Sequence, residues 1–247
     1  MAKYILLDTE TTGAGENDRV IQLGFMVLDG KNVQVHNDLC SSTVPIGYGA
    51  MEVHGITPDA IEGKPACGET SAFKALNELN IADNVMIIHN APFDLGMLAK
   101  ENFTSKMRLI DTLRCSKHLF DEEEAHRLQF FRYRLGLYKL EQAEADALGI
   151  VVKAHDAIGD VLVLKLFLTE LRKKLTERFG AVNPIDKMVE LTQTPVFITK
   201  PLKFGKHKGK TLSEIVAADR GYLSWMLANM ENLDEDMKYS IARVLEA

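Results

Sequence analysis

Three strand-like segments occupy most of the first forty residues, and this arrangement limits the possible folds more than any other part of the sequence. Residues 4–7, 20–28 and 33–39 are rich in aliphatic and β-branched side chains. The turn signal Asp29-Gly30-Lys31 separates the last two segments, so we expect them to form an antiparallel hairpin. The chain therefore begins with a sheet.

After residue 70 the pattern changes to an alternation of helix-like and strand-like segments. Residues 71–79, 91–100, 140–148 and 157–175 have helical periodicity, whereas residues 85–88 and 109–110 read as short buried strands. This order predicts an α/β fold of the mixed-sheet type, with three antiparallel strands, then parallel strands, and helices on both faces. A chain of 247 residues with 46% hydrophobic content can form one large domain and a small second one.

Composition excludes several classes of protein. No stretch approaches the roughly 18 uncharged apolar residues that a membrane span requires, so we expect a cytoplasmic protein with no membrane partner. Cys40, Cys67 and Cys115 lie far apart without zinc-ligand spacing, which indicates reduced thiols. The net charge of −6 argues against a surface covered by nucleic acid, although a local positive site is compatible with it.

Two carboxylates, Asp8 and Glu10, follow the first apolar segment in the stretch DTETTG. Residues i and i+2 of a strand share a face, so these two like charges project together. A divalent cation such as Mg²⁺ or Mn²⁺ would neutralise them, because hard oxygen ligands suit such ions. Taken alone, such a pair is more often the end of a strand emerging into water.

Further candidate groups occur where helices are predicted to begin. Asp94, in HNAPFD, falls near the first turn of a helix, where an acid is also common for electrostatic reasons alone. In AHDAIGD, Asp156 is the expected N-cap of the long helix. His155 and Asp160 then occupy the N′ and N4 positions, which meet in space, so His155 is a candidate base.

Taken in order, these three motifs resemble those of the DnaQ-like (DEDDh) 3′→5′ exonucleases, which have a ribonuclease H-like fold. The resemblance covers roughly residues 3–176 and includes VHGIT at 53–57 and LIDTLR at 109–114. Residues 203–227 additionally resemble a C-terminal segment of the bacterial exodeoxyribonuclease X family.

The resemblance implies a function and a set of roles. Asp8, Glu10, Asp94 and Asp160 would hold two Mg²⁺ or Mn²⁺ ions, and His155, rather than His89, would accept a proton from the attacking water. The reaction would release nucleoside 5′-monophosphates from 3′ ends, with DNA favoured over RNA. Substrate contacts are expected from Thr11 and Thr12. For His54, substrate contact and structural packing stay equally open, and Asp111 is expected to cap a helix.

The sequence changes character after about residue 178. We expect an exonuclease domain at residues 1–178, a linker at 179–200, and a small α-rich module at 201–247 with a short hairpin. Lysines alternate with apolar or glycine residues there, a pattern suited to phosphate contact or to a solvated face: Lys200, Lys203, Lys206, Lys208 and Lys210. The aromatic and apolar residues near position 225 are expected to form the core of the module. GKHKGKT lacks the spacing of a nucleotide-binding P-loop.

Two other functions remain open on the sequence alone. An RNA-trimming enzyme of the same superfamily would carry the same motifs, because sugar discrimination depends on the pocket around the 2′ position. A nucleic-acid-binding module without catalysis is a second alternative, against which the complete set of four acids and His155 argues. The sequence leaves open whether a polymerase or a DNA-repair protein is a partner.

Overall fold

The computed structural model describes residues 2–152 and 155–246. Its strands are Tyr4–Thr11 (β1), Val20–Asp29 (β2), Asn32–Leu39 (β3), Val85–Ile88 (β4) and Arg108–Asp111 (β5). Its helices are Tyr48–His54 (α1), Pro58–Ile61 (α2), Ser71–Glu78 (α3), Ala91–Lys100 (α4), Thr112–Leu119 (α5), Leu128–Arg134 (α6), Glu141–Leu148 (α7), Ala157–Phe179 (α8), Pro184–Gln193 (α9), Leu212–Asn229 (α10) and Glu235–Glu246 (α11).

The strands form one mixed sheet in the order β3-β2-β1-β4-β5. β1, β2 and β3 pair antiparallel, and β4 and β5 continue the sheet in parallel with β1. The predicted fold class is confirmed. Because β1, β4 and β5 run in one direction, their carboxyl ends meet at one edge of the sheet, where Asp8 and Glu10 also lie.

Alternation along β1 divides the buried side chains between two hydrophobic cores. Leu6 packs with α8 on one face, whereas Ile5 and Leu7 pack with α3 and α4 on the other. The side chains of Asp8 and Glu10 share the face of Leu6, because side chains two residues apart in a strand point the same way. The central helix α8 therefore covers the face that carries the two acids.

The stretch predicted as a linker contains helix α9. Met188 and Leu191 on this helix are buried in the same core as Leu6, and Asp111 donates its backbone N–H to Thr192 Oγ1 at 2.9 Å. Residues 179–200 are therefore packed against the sheet domain for much of their length. The division of the chain into domains stays a prediction.

The C-terminal segment has a separate small core, built around Ile215, Leu223 and Met226. Arg114 of α5 ties it to the sheet domain through an ion pair of 2.6 Å with Asp236 of α11. The segment is helical as predicted. In place of the expected hairpin, the described residues contain an irregular loop closed by two backbone bonds, Leu202 N–H to Lys210 O (2.9 Å) and Gly209 N–H to Leu202 O (2.8 Å).

The three cysteines are free and buried. Within the described part of the chain, no helix is both long and apolar enough to cross a membrane.

Candidate active site

Asp8 and Glu10 lie in β1 directly opposite Gly24 and Gln22 of β2. The pairing slips by one residue immediately after Glu10, since Thr11 pairs with Val20. Such an irregularity ends regular pairing and is frequent beside active sites. The two acids are consequently the last regularly paired residues on the α8 side of the strand.

Asp160, in the first turn of α8, completes a group of three carboxylates. Oxygen atoms of Asp8, Glu10 and Asp160 all lie within 4.8 Å of one another, and all three residues are half-buried. Gln129 of α6 donates from Nε2 to Asp160 Oδ1 at 2.7 Å, which fixes that carboxylate from the other side. Residues 150 positions apart in the sequence thus converge on one point.

The start of α8 approaches β2 closely because position 24 is a glycine. A Cβ atom at Gly24 would lie 2.8 Å from the backbone nitrogen of Ile158 and 2.9 Å from the carbonyl carbon of Ala157. Real Cβ atoms do not approach backbone atoms so closely, so a side chain would push the helix away. Gly24 therefore sets the distance between α8 and β2 at the position directly opposite Asp8.

Gln22, only 3% exposed, holds the residues that follow His155. Its Nε2 donates to Asp156 Oδ1 at 2.8 Å and to Asn37 Oδ1 at 3.0 Å. Its Oε1 accepts the backbone N–H of Ala157 at 3.2 Å. One side-chain amide thus fastens the N-terminus of α8 to β2 beside Glu10.

His155 adopts a left-handed backbone conformation, with φ of 54°. Such a conformation in a non-glycine residue costs of order 1–3 kcal/mol and persists where the surroundings impose it. The predicted N-cap, Asp156, is the N-cap of α8, although its carboxylate accepts from Gln22 rather than from the helix. Burial raises the pKa of Asp160, whereas the ring and the backbone N–H of His155 both lower it. The histidine therefore lies beside the carboxylate group.

Asp94 lies at the N-terminus of α4 and is not part of the group of three. Its Oδ1 accepts two hydrogen bonds from Thr9, one from the backbone N–H at 3.0 Å and one from Oγ1 at 2.7 Å. Thr9 is next to Asp8, and the negative charge of Asp94 adds to the effect of burial in raising the pKa of Asp8. Asp94 therefore faces the cluster from the α4 side.

Asp111 acts as the predicted cap and also organises α4. Its Oδ1 accepts the N–H of Leu113 at 2.9 Å and that of Asn90 at 3.0 Å, and its Oδ2 accepts that of Ala91 at 3.2 Å. One carboxylate thus binds the first residues of both α5 and α4. This contact fixes the turn that presents Asp94.

Three of the carboxylates are shielded from water and lie close to other acids, and their pKa values reflect this. Burial, followed by the charges of Asp94, Asp160 and Glu10, raises the pKa of Asp8 well above its usual value. Burial raises the pKa of Asp94 to about 7, against the opposing effect of the Thr9 hydrogen bonds. Burial likewise raises the pKa of Asp160 to about 6, although His155 and Arg132 lower it. Without a cation, the site resists full ionisation.

These features fit a divalent metal centre. The donors are all oxygen atoms and converge within 4.8 Å, and burial together with neighbouring negative charges raises the pKa values of Asp8 and Asp160. Mg²⁺ and Mn²⁺ bind such carboxylate sets, and a nearby cation would favour the ionised forms. Metal binding is therefore consistent with the residues present.

The predicted substrate contacts Thr11, Thr12 and His54 are buried around the end of β1. Thr11 Oγ1 donates to Gly13 O at 2.7 Å. Thr12 Oγ1 donates to Asp18 Oδ1 at 2.6 Å. Both hydroxyls thus stabilise the loop that follows the strand.

His54 is also held by local hydrogen bonds. Its Nδ1 accepts the N–H of Ile56 at 2.9 Å, so Nε2 carries the proton and donates to Thr11 O at 3.2 Å. His54 therefore supports the backbone next to Glu10.

The predicted basic residues lie on the segment before α10 and divide into two kinds. Lys203, Lys208 and Lys210 are exposed and form no ion pair within the described chain. Lys206 pairs with Asp219 at 2.8 Å, and Lys200 donates to the carbonyl of Glu123. Three of the five lysines are thus exposed without an ion pair in the described part of the chain.

Sequence reasoning missed Gln22, Gly24 and Gln129. The sequence does contain a signal for Gln22 and Gly24, because a polar residue and a glycine interrupt an otherwise apolar buried strand at alternate positions. Both fall on the face of Asp8 and Glu10 once β1 and β2 are paired. Gln129 carried no comparable signal, because its role depends on where α6 packs.

Comparison with known proteins gives matches over both parts of the chain. Residues 5–165 match the family described as Exonuclease, and residues 202–231 match the exodeoxyribonuclease X-like C-terminal family. Exodeoxyribonuclease 10 of Escherichia coli K12 is 24% identical over 98% of both chains. A DNA polymerase III subunit epsilon-like protein of Rhodobacter capsulatus is 31% identical over 72% of this chain, which spans only 25% of that relative.

Solved structures share the fold. Exonuclease X in complex with 5′ overhanging duplex DNA superposes with a TM-score of 0.54 at 16% identity, covering 76% of this chain and 99% of that one. E. coli Exonuclease I in complex with a dT13 oligonucleotide gives 0.53 at 19% identity, covering 72% and 43%.

Proposed function

This chain belongs to the exonuclease family matched by its residues 5–165, and we propose that it removes nucleotides one at a time from the 3′ ends of DNA. The observation that carries the proposal is the convergence of Asp8, Glu10 and Asp160 within 4.8 Å, beside His155. DNA is supported as the substrate by the similarity, over nearly its whole length, to a protein named exodeoxyribonuclease.

The metal ligands in this proposal are Asp8, Glu10, Asp94 and Asp160, holding two Mg²⁺ or Mn²⁺ ions. When bound, such ions favour ionisation of the attacking water and stabilise the charge that develops on the phosphate and the leaving oxygen. Gln129 and Thr9 orient two of the ligands, Asp160 and Asp94.

His155 acts as the general base. It accepts a proton from the water that attacks the terminal phosphorus, while the bond between phosphorus and the 3′ oxygen of the preceding nucleotide breaks. The leaving 3′ oxygen takes a proton from solvent, and the terminal nucleotide departs as a 5′-monophosphate. A neutral imidazole near physiological pH can perform this role.

The substrate strand is bound in two places in this proposal. Thr11, Thr12 and His54 shape the end of β1 where the terminal nucleotide lies. Phosphates further along the strand are contacted by Lys203, Lys206, Lys208 and Lys210. A chain with net negative charge needs such positive groups, away from its carboxylates, to hold a nucleic acid. A cytoplasmic location, and a repair or polymerase partner, remain predictions.

A degradation assay tests the proposal. Oligonucleotides of DNA and RNA, labelled at the 5′ end, are incubated as single and double strands with Mg²⁺, Mn²⁺ or a chelator. We expect a ladder of progressively shortened labelled DNA with either metal and intact DNA with the chelator. Immediate release of a labelled mononucleotide would instead mean the opposite polarity.

A matched pair of variants ties the activity to the site. Asp8→Ala should abolish degradation, whereas Asp83→Ala should not, since Asp83 is exposed and precedes β4 at the opposite end of the sheet. Faster degradation of RNA than of DNA would favour the RNA-trimming alternative. No degradation of any substrate would favour a binding module without catalysis.

A further inference from the structure

Helix α10 is interrupted at Asp219, whose φ of −155° and ψ of 65° are not helical. The N–H of Tyr222 donates to Asp219 Oδ1 at 3.2 Å, as in an N-cap, so a new helical segment begins there. Asp219 Oδ2 also accepts from Lys206 Nζ at 2.8 Å and from His207 Nε2 at 2.9 Å. The interruption thus creates an anchor for the lysine-containing loop, residues 203–210.

The same loop lies against the ring of Tyr222. The edge of His207 meets this ring with 4.8 Å between centroids, and the N–H of Lys206 donates to Tyr222 Oη at 3.3 Å. A Cβ atom at Gly205, where φ is +74°, would lie 2.3 Å from Tyr222 Oη. Only glycine therefore permits this approach, and the loop has a defined position on α10.

Trp225 extends the aromatic surface away from the loop. Its ring stacks on Tyr222, with centroids 6.0 Å apart and an interplanar angle of 24°. It is 52% exposed, whereas its neighbours Leu223 and Met226 are fully buried. The sequence-based expectation that Trp225 belongs to the core is therefore wrong. Leu223 and Met226 already fill the core, and the indole lies on its outer side.

Positive charge borders this surface. Lys206 and His207 lower the pKa of Asp219 to about 2, so Asp219 stays ionised and offsets the charge of Lys206. Lys203, Lys208 and Lys210 have no such partner within the described residues. A cluster of free lysines on a chain of net charge −6 attracts a polyanion locally.

We propose that Trp225 and Tyr222 form a stacking platform for the unpaired bases of a single-stranded segment, whose phosphates bind Lys203, Lys208 and Lys210. Proteins that bind single strands without sequence preference combine aromatic faces with a positively charged groove in this way. A duplex would hide its base faces, so the platform selects single strands. This inference rests on the proposed exonuclease function, because it assigns the platform to the part of the substrate outside the active site.

Trp225 is the only tryptophan of the chain, so its fluorescence reports directly on the proposed contact. The full-length protein is titrated in chelator, which prevents hydrolysis, with an oligothymidylate of about 12 nucleotides, within the range of single-strand binding sites. We expect quenching with the same midpoint as binding measured by anisotropy of a labelled oligonucleotide. A blunt duplex of equal length should quench little. Binding without quenching would overturn the proposal.

Variants separate stacking from stability. Trp225→Ala should weaken binding of the oligonucleotide by roughly 5- to 150-fold, the range expected for the loss of one stacked base. Trp225→Phe should retain most of the affinity, and both variants should melt near the wild-type temperature because the side chain is exposed. Phe179→Ala is the matched control, since Phe179 is 37% exposed at the far end of α8, roughly 30 Å from its first turn.

Hydrolysis of a dinucleotide distinguishes this inference from the function on which it rests. In this proposal a dinucleotide occupies only the active site, so Trp225→Ala should cleave it at the wild-type rate. Unchanged affinity of Trp225→Ala for the oligonucleotide would refute the platform while leaving the exonuclease function intact. Absence of cleavage of both the dinucleotide and the longer oligonucleotide by the wild-type protein with Mg²⁺ would instead refute the exonuclease function.

Discussion

Gln22 and Asp156 are 134 positions apart in the sequence, and Gln22 Nε2 donates a hydrogen bond of 2.8 Å to Asp156 Oδ1. This bond joins β2 to the residue directly after His155. Since Gln22 is also opposite Glu10, a single side chain connects the turn that carries the candidate base to the strand paired with the one that carries two acids.

Gln22→Leu should impair catalysis more than substrate binding. Loss of the contacts to Asp156 and Ala157 frees the backbone at His155, and a shift of about 1 Å at a catalytic group can cost roughly 10²-fold in rate. We expect a lower kcat with little change in KM. Gln142→Leu, at an exposed position of α7, is the control and should leave both constants unchanged. A rise in KM alone would contradict the positioning role.

His155→Ala tests the role of the base. Removal of a positioned general base typically lowers the rate by about 10²- to 10⁴-fold. Metal affinity, measured by calorimetry, should change little, because the proposed ligands are carboxylates. Equal losses of activity and metal affinity would make His155 a metal ligand instead. His118→Ala provides a histidine control away from the carboxylates, since His118 contacts Thr194.

Removal of divalent cations should make stability fall as pH rises. Asp94 and Asp160 have folded pKa values of about 7 and 6, against a usual value of 3.8. Well below pH 4 the carboxyl groups are protonated in both the folded and the unfolded state, so no penalty exists. Above about pH 7 the folded state bears the full cost of the charges. Thermal melts in chelator at about pH 5.5 and 8 should show this loss.

Two comparisons check its origin. Mg²⁺ should restore the melting temperature at the higher pH, because it favours the ionised carboxylates. Asp8→Asn should weaken the pH dependence in chelator, whereas Asp83→Asn should not. Identical pH dependence in both variants would mean that the carboxylate cluster is not the cause.

Protonation of His89 should make the free energy of unfolding fall as the pH is lowered, which is the opposite of the effect of the carboxylates. Burial lowers the pKa of His89 to about 4, and its ring bonds Thr112 and the carbonyl of His126. An unfolded histidine binds a proton below about pH 6.5, so the stabilisation is complete above that pH and is lost as pH falls towards 4, by up to about 3 kcal/mol. Urea unfolding at both ends of this range measures it.

The comparison with His89→Gln isolates this residue from the other histidines. The variant should lose less stability than the wild type between pH 6.5 and 4, since glutamine does not titrate. Parallel curves for the two proteins would show that His89 is protonated without penalty.

The lysines of the loop should govern the salt dependence of binding to long strands. Changing Lys203, Lys206, Lys208 and Lys210 together to Gln should reduce the slope of log affinity against log salt by roughly 2 to 3 for a single strand. Binding assays in chelator over a range of salt concentrations give this slope. The control replaces four other exposed lysines, Lys31, Lys74, Lys106 and Lys173, for the same change in net charge. Equal slopes for the two variants would leave the loop without a specific role.

Local rules were sufficient for the parts of the site that depend on one element. The alternation of side chains in a strand predicts that Asp8 and Glu10 share a face, and capping rules predict Asp156 as the N-cap of α8. The strand itself continues to Thr11, beyond the apolar run, because pairing with β2 does not require apolar side chains. The fold class followed from the order of elements.

Features that depend on tertiary packing could not be predicted in this way. The exposure of Trp225 depends on which face of α10 packs inward, and Leu223 and Met226 fill the small core in its place. The double role of Asp111 depends on α4 and α5 beginning side by side. The catalytic and metal-binding roles themselves remain predictions until the variants are measured.

The absence of a side chain at Gly24 has a consequence for how the protein tolerates mutation. No atom of Gly24 takes part in the chemistry, yet a single added methyl group would meet the backbone of Ala157 and Ile158. In a library of random variants, the active clones should therefore carry replacements of Gly24 as rarely as replacements of Asp8 or Glu10. A genetic screen would therefore group Gly24 with the catalytic residues, although its role is to leave room for the backbone of α8.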